Sequence, residues 1–161
     1  MTATTQIADA IGNKELLKFK KTAFLCSRKI SASAVLKCYD WAIEQRENGK
    51  CVISGFHSKI EKDVFHYLAK GYQPIILALP RGLKKRWEPE IKSLLKTDRF
   101  LIISPFDKSV ARITEETSKV RNQLMVGLAD EIVVGYKSSK SKLNTILSEM
   151  DSGKEINYIT E

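Results

Sequence analysis

Serines, glycines and cations recur together at five places in this sequence. They are Ser27-Arg28-Lys29, Ser54-Gly55-Phe56-His57-Ser58-Lys59, Pro80-Arg81-Gly82-Leu83-Lys84-Lys85-Arg86-Trp87, Ser104–Lys108, and Gly135–Lys142 with its Lys137, Lys140, Ser141 and Lys142. These residue types suit the capture of an anion. A guanidinium offers paired donors to phosphate, an ammonium offers a point charge, and serine and glycine turns present hydroxyl and backbone N–H groups. The five segments hold eleven of the 27 basic residues but only one of the 19 acidic ones, Asp107. The remainder of the chain carries sixteen basic and eighteen acidic residues, so the net charge of +8 belongs to these segments.

Signatures of other chemistries are missing. The sequence contains no Gly-x-Gly-x-x-Gly, no Gly-x-x-x-x-Gly-Lys-Ser/Thr, no His-Glu-x-x-His and no Gly-x-Ser-x-Gly, which leaves the common dinucleotide, triphosphate, zinc-protease and hydrolase sites without support. Cys26, Cys38 and Cys51 are odd in number and lack the close spacing of a metal or redox pair. They read as small core hydrophobes of a reduced protein. No metal or cofactor is expected. His57 is a candidate ligand contact, but no partner in the sequence makes it a general base; His66, beside Val64 and Phe65, reads as packed surface.

The elements that must position these segments follow from apolar periodicity. Thr22–Cys26, Cys51–Ser54, Pro74–Leu79, Phe100–Ser104 and Glu131–Gly135 are short, continuously apolar runs, as expected of strands buried on both faces, and Ile156–Ile159 reads as a sixth, edge strand. Helical spacing predicts helices over Ala34–Glu47, from Ser58 to Gly71 behind a Ser-x-x-Glu capping box, and near Glu88–Lys96, Glu115–Ala129 and Ser141–Met150. Alternation of strand and helix predicts an α/β fold: a three-layer, Rossmann-like, open and mainly parallel sheet of five or six strands with helices on both faces. Residues 1–21 are expected as an N-terminal arm or short helix ahead of one domain over 22–161. In such sheets ligands bind beyond the carboxyl ends of the strands, where all five cationic segments fall.

At 161 residues the chain fits one core. No apolar run approaches the roughly 20 residues of a membrane span, and the first twenty residues lack a signal-peptide pattern, so a cytoplasmic protein away from membranes is expected.

Several stretches taken in order resemble the Rossmann-like domain of the DNA-processing protein A (DprA/Smf) family: Ser27-Arg28, Val52-Ile53-Ser54-Gly55 with Ile60-Glu61, Ile76–Leu79 with Gly82-Leu83, Leu101–Ser104, and Arg121-Asn122 through Gly127-Leu128-Ala129-Asp130 to Val134. The family lies within the SLOG group of nucleotide-related ligand binders. The resemblance places Ser27 and Arg28 on its Gly-Ser-Arg motif, Ser54 and Gly55 on its Ser-Gly motif, and Arg121 and Asn122 on its Arg-Asn motif. It implies single-stranded DNA binding, dimerisation and help in loading a recombinase. Departures are also present. Cys26 replaces a motif glycine, His57-Ser58-Lys59 replaces Ala-Arg-Gly, Glu61 replaces an aspartate, and Lys140-Ser141-Lys142 stands where a glycine-containing loop is usual. With no flanking helical domains in these residues, a divergent stand-alone member is expected.

The leading expectation is a non-enzymatic binder of single-stranded DNA. Its contacts are Ser27, Arg28, Lys29, Ser54, Gly55, His57, Lys59, Arg81, Lys84, Lys85, Arg86, Arg121, Asn122, Lys140, Ser141 and Lys142, with Arg28 and Arg121 holding one anion between them. The alternative is a SLOG-type small-nucleotide sensor or nucleoside-phosphate hydrolase on the same rim, with Glu61 as the nearby carboxylate. The Pro-Gly-Gly-x-Gly-Thr-x-x-Glu signature of phosphoribohydrolases is absent.

Overall fold

The structure is a computed structural model that describes residues 5–136 and 154–159. The apolar runs pair as a sheet of parallel strands: β2 (Lys21–Leu25), β3 (Cys51–Ser54), β4 (Ile75–Ala78), β5 (Phe100–Ser104), β6 (Glu131–Val134) and β7 (Glu155–Tyr158). Every residue of β2 to β5 is buried, which is why these segments carry no alternation of polar and apolar residues. β7 is a mostly exposed edge.

One strand escaped the sequence reading. Asp9–Gly12 forms β1, antiparallel to β5, with Ile11 opposite Ile102 and Gly12 opposite Leu101. The completed order is β1-β5-β4-β3-β2-β6-β7. Gly12 sits at φ +113, and a Cβ there would lie 2.4 Å from the Phe100 carbonyl oxygen, so this close approach needs glycine. Part of the expected arm or helix thus belongs to the sheet. It continues into a 3-10 turn at Lys14–Lys18 that buries Leu16.

Helices α1 (Ala32–Glu47), α2 (Lys59–Ala69), α3 (Pro89–Leu95) and α4 (Glu115–Leu128) fill the connections. Ser58 and Glu61 close the expected capping box, and Thr114 with Thr117 closes a second one at α4. Phe24, Val52, Ile75, Ile102 and Val133 face a core that includes Cys38, Val64 and Leu94 of α1 to α3. Ala23, Leu25, Ile53, Ile76 and Leu101 face Leu124 and Met125 of α4 on the other side. The result is three layers, with the carboxyl ends of β2 to β5 on one edge.

All three cysteines are buried and unpaired with one another by disulfide. No helix among the described residues is long and apolar enough to cross a membrane. The helix expected at Ser141–Met150, and Lys137, Lys140, Ser141 and Lys142, lie outside the described residues.

Candidate functional site

At the end of β3 the chain turns sharply. Ser54, fully buried, donates through Oγ to the Phe24 carbonyl at 2.9 Å and accepts from the Phe56 N–H at 3.3 Å. Its hydroxyl ties β3 to β2, so Ser54 shapes the turn from within the fold. Phe56 follows in the left-handed region at φ +45, a conformation uncommon outside glycine, and its buried ring packs on Phe65 with centroids 4.9 Å apart. This turn aims the next two amides inward. The N–H groups of His57 and Ser58 donate to Glu61 Oε1 at 2.9 and 3.1 Å, and the N–H of Cys26, at the end of β2, donates to Glu61 Oε2 at 3.3 Å.

Arg121 approaches from the opposite helical layer. Its guanidinium lies over Gly55, where a Cβ would fall 2.1 Å from one terminal nitrogen and 2.5 Å from Cζ. The side chain is only 5% exposed. Nε donates to Asn122 Oδ1 at 2.8 Å and a terminal nitrogen makes a long contact of 3.5 Å with the Ala78 carbonyl. No carboxylate among the described residues lies within ion-pair distance of it. Burial lowers its pKa, and the charge of Glu61 partly offsets that. Asn122 is half-buried and orients the arginine.

Around this centre Ser27 is buried, its N–H donating to the Tyr136 carbonyl at 2.9 Å, while Arg28 and Lys29 are exposed. His57 is half-buried. Its pKa is pushed below the ordinary histidine value first by burial, then by the charge of Arg121, with Arg28 adding to the effect and Glu61 opposing it. Both arginines therefore act on one imidazole. Lys59 is exposed and paired with Asp63 at 3.1 Å, so part of its charge is already answered.

Beyond β4 and β5 the rim changes character. Arg81, Leu83, Lys84, Lys85, Arg86 and Lys108 line a cleft of about 720 Å³. Its walls are laced together: Ser104 Oγ donates to the Arg81 carbonyl at 2.6 Å and accepts from the Phe106 N–H at 3.0 Å, while the Gly82 N–H donates to the Val110 carbonyl at 2.8 Å. A Cβ on Gly82 would lie 2.1 Å from the Asp107 carbonyl oxygen. Lys85, Arg86 and Lys108 are exposed; Lys84 meets Glu88 at 3.5 Å and stands 6.0 Å from the Trp87 ring centre. Trp87 is half-buried and packs against the core cluster that includes Leu94 of α3.

The structure thus gathers Ser27, Arg28, Gly55, His57, Arg121 and Asn122 about the ends of β2 and β3, and Arg81 to Arg86 beside them. Arg112, which the sequence reading did not single out, is exposed on the loop that continues past Lys108 to the Thr114 cap. The signal was available, because no helical spacing begins before that cap. A second cleft of about 770 Å³, lined by Arg46, Glu47, Lys70, Tyr72 and Gln73, opens where α1 and α2 end, away from this edge, and mixes charges of both signs.

A family model described as DNA recombination-mediator protein A matches residues 7–160. The chain belongs to this family. Among solved structures, DNA processing protein A (DprA) from Streptococcus pneumoniae superposes with a TM-score of 0.72 at 21% identity, covering 92% of this chain and 53% of that one. DNA processing protein A from Helicobacter pylori, described for its single-stranded DNA binding mode, superposes with a TM-score of 0.71 at 19% identity, covering 86% of this chain and 64% of that one. At these identities the likeness concerns the fold. The chain spans between half and two thirds of the length of these family members. No curated protein gives a significant match.

Proposed function

We propose that this domain binds single-stranded DNA along the carboxyl edge of its sheet, as a cytoplasmic, non-enzymatic DNA-processing protein of its family. The observation that carries the reading is Arg121, a buried cation with no carboxylate at ion-pair distance among the described residues, set at the head of a rim whose exposed cations are mostly without ion pairs among those residues. Burying a guanidinium without an ion pair destabilises a fold even when Glu61 stands nearby, so its place at a strand-end crevice supports an external anion. Arg28, Lys29, Arg81, Lys85, Arg86 and Lys108 extend the positive potential across the ends of β2 to β5, which suits a chain of phosphates more than one phosphate. The single-stranded DNA binding of the Helicobacter pylori protein supports the same ligand class.

A hydrolase is the weaker reading. Glu61, the carboxylate at the site, already accepts from three backbone N–H groups and is 8% exposed, so it is engaged as an acceptor and poorly placed as a base. The homodimer implied by the family remains part of the proposal, and sedimentation at high micromolar concentration checks it, a strict monomer contradicting it.

Fluorescence anisotropy with a labelled single-stranded oligonucleotide tests the reading. Binding is expected at low salt, weakening as salt rises, with a free nucleoside monophosphate failing to displace the oligonucleotide at equal concentration. Absence of binding at every salt concentration, or displacement by the mononucleotide, would contradict it.

A further inference from the structure

The backbone donors at the ends of β2 and β3 form the kind of nest that nucleotide-binding folds aim at a phosphate: converging N–H groups beside a helix N-terminus. Here the nest is occupied from within. Glu61, on the first turn of α2, places Oε1 on the His57 and Ser58 amides and Oε2 on the Cys26 amide. The carboxylate is 8% exposed and therefore sealed in place. A capping box alone requires one of these bonds, the one to Ser58; the bonds to His57 and Cys26 are additional and join the segments that follow β3 and β2.

Resting on the phosphate-binding reading above, we propose that Glu61 determines the ligand class of this site, by filling the amide nest so that a phosphate monoester is rejected while a backbone phosphodiester is accepted. The charge state of the ligand is the reason. A terminal phosphate carries between one and a half and two negative charges near neutral pH, needs many donors, and would have to settle beside a fixed carboxylate. A diester carries one charge and offers two free oxygens, a match for a planar guanidinium such as that of Arg121 or the exposed Arg28. Like charges brought together without an intervening cation oppose binding strongly, and the opposition grows with the ligand's charge. Arg121, whose charge interacts with that of Glu61, donates to Asn122 and makes no ion pair with Glu61. Glu61 thus leaves guanidinium contacts as the means of holding phosphate, and these select the interior of a nucleic-acid strand over its phosphorylated end or a free nucleotide.

The test is Glu61→Gln, which keeps an oxygen for the amides of His57 and Ser58 and removes the charge. Isothermal titration is read with three probes: inorganic phosphate, adenosine 5′-monophosphate, and an oligodeoxythymidylate with a 5′-hydroxyl. Phosphate and the monophosphate are expected to bind the variant at least about tenfold more tightly than the wild type, with a change of a few-fold at most for the oligonucleotide. A folded variant, verified by circular dichroism, that binds the two small probes no better than wild type overturns the proposal. Should the variant not fold, the wild type decides: oligonucleotides ending in a 5′-phosphate and a 5′-hydroxyl are expected to bind within about twofold of each other, and a preference of about tenfold or more for the phosphorylated end overturns it. Gain of inorganic phosphate binding by the variant is read without DNA. Failure of oligonucleotide binding in the wild type therefore strikes the proposed function, and failure of the gain strikes the role of Glu61.

Discussion

Two stretches of the same sheet edge handle positive charge in opposite ways. At the ends of β2 and β3 a single guanidinium is buried, oriented by Asn122, stacked on Gly55 and held near a carboxylate that already has its own partners. Beyond β4 and β5 the cations are numerous and mostly solvated, and what is fixed is the backbone beneath them, laced through Ser104 and Gly82. The first arrangement restrains one guanidinium through burial and its bond to Asn122, and destabilises the fold by desolvation. The second adds potential at little energetic cost and little accuracy, since a solvated lysine retains most of its rotamer freedom. Position and attraction are thereby separated, the first expected to set register on a ligand and the second to set affinity and its dependence on salt.

That separation can be broken most severely at Gly55. Gly55→Ala inserts a methyl group into the space of the Arg121 guanidinium, so the protein is expected to lose about 1–3 kcal/mol of stability by overpacking, and oligonucleotide binding with it. The double variant Gly55→Ala with Arg121→Ala is expected to be no less stable than Arg121→Ala alone, because the clash has been removed; a chemical-denaturation cycle measures this, and additive losses would show that Gly55 and Arg121 do not oppose each other.

Arg121→Met sharpens the comparison. A side chain of similar length without charge removes the desolvation penalty, so the melting temperature is expected to hold or rise while oligonucleotide binding weakens by about 1–3 kcal/mol. A strong fall in melting temperature with binding intact would make Arg121 a scaffold residue.

Single substitutions in the cleft are expected to do less. Lys85→Ala and Arg86→Ala, on exposed side chains, are expected to weaken binding by a few-fold each and leave stability within about 0.5 kcal/mol, as anisotropy and thermal melts report.

The smallest effect is in pH. The pKa of His57 is held below the ordinary value by burial first and by Arg121 next. A base whose folded pKa is depressed contributes stability above its unfolded value near 6.5, and that contribution is lost as pH falls through the folded pKa. An anion bound beside it reverses the preference, because it favours the imidazolium. Oligonucleotide affinity is therefore expected to rise modestly below about pH 6.5 in the wild type and to stay flat in His57→Gln.

How much of this was legible in the sequence depends on where each residue's partners lie. Strands such as Cys51–Ser54 and Phe100–Ser104 announce themselves, since burial on both faces leaves them continuously apolar. So does the Ser58 and Glu61 cap, whose partners are three residues apart. β1 was hidden because Asp9–Gly12 has little apolar content and owes its form to pairing with β5, some ninety residues away. The burial of Arg121 was equally hidden, because α4 specifies its own helix but not that one side chain crosses to Gly55; only the family motif marked it. The bond of Ser54 to the Phe24 carbonyl was hidden for the same reason, because it joins two strands across 30 residues of chain. The bond of Glu61 to the Cys26 amide, 35 residues away at the end of β2, is likewise encoded in no local pattern.

The separation of position from attraction is tested most directly by the salt dependence of oligonucleotide binding, compared between the wild type, Arg121→Met and a variant with Arg81, Lys84, Lys85 and Lys108 all changed to alanine. A plot of log affinity against log salt concentration is expected to lose about 0.7 of slope for each phosphate contact removed. The account predicts a slope reduced by at least about two in the cleft variant, by less than about one in Arg121→Met, and an unchanged melting temperature in the cleft variant. A cleft variant with the slope of the wild type would contradict it.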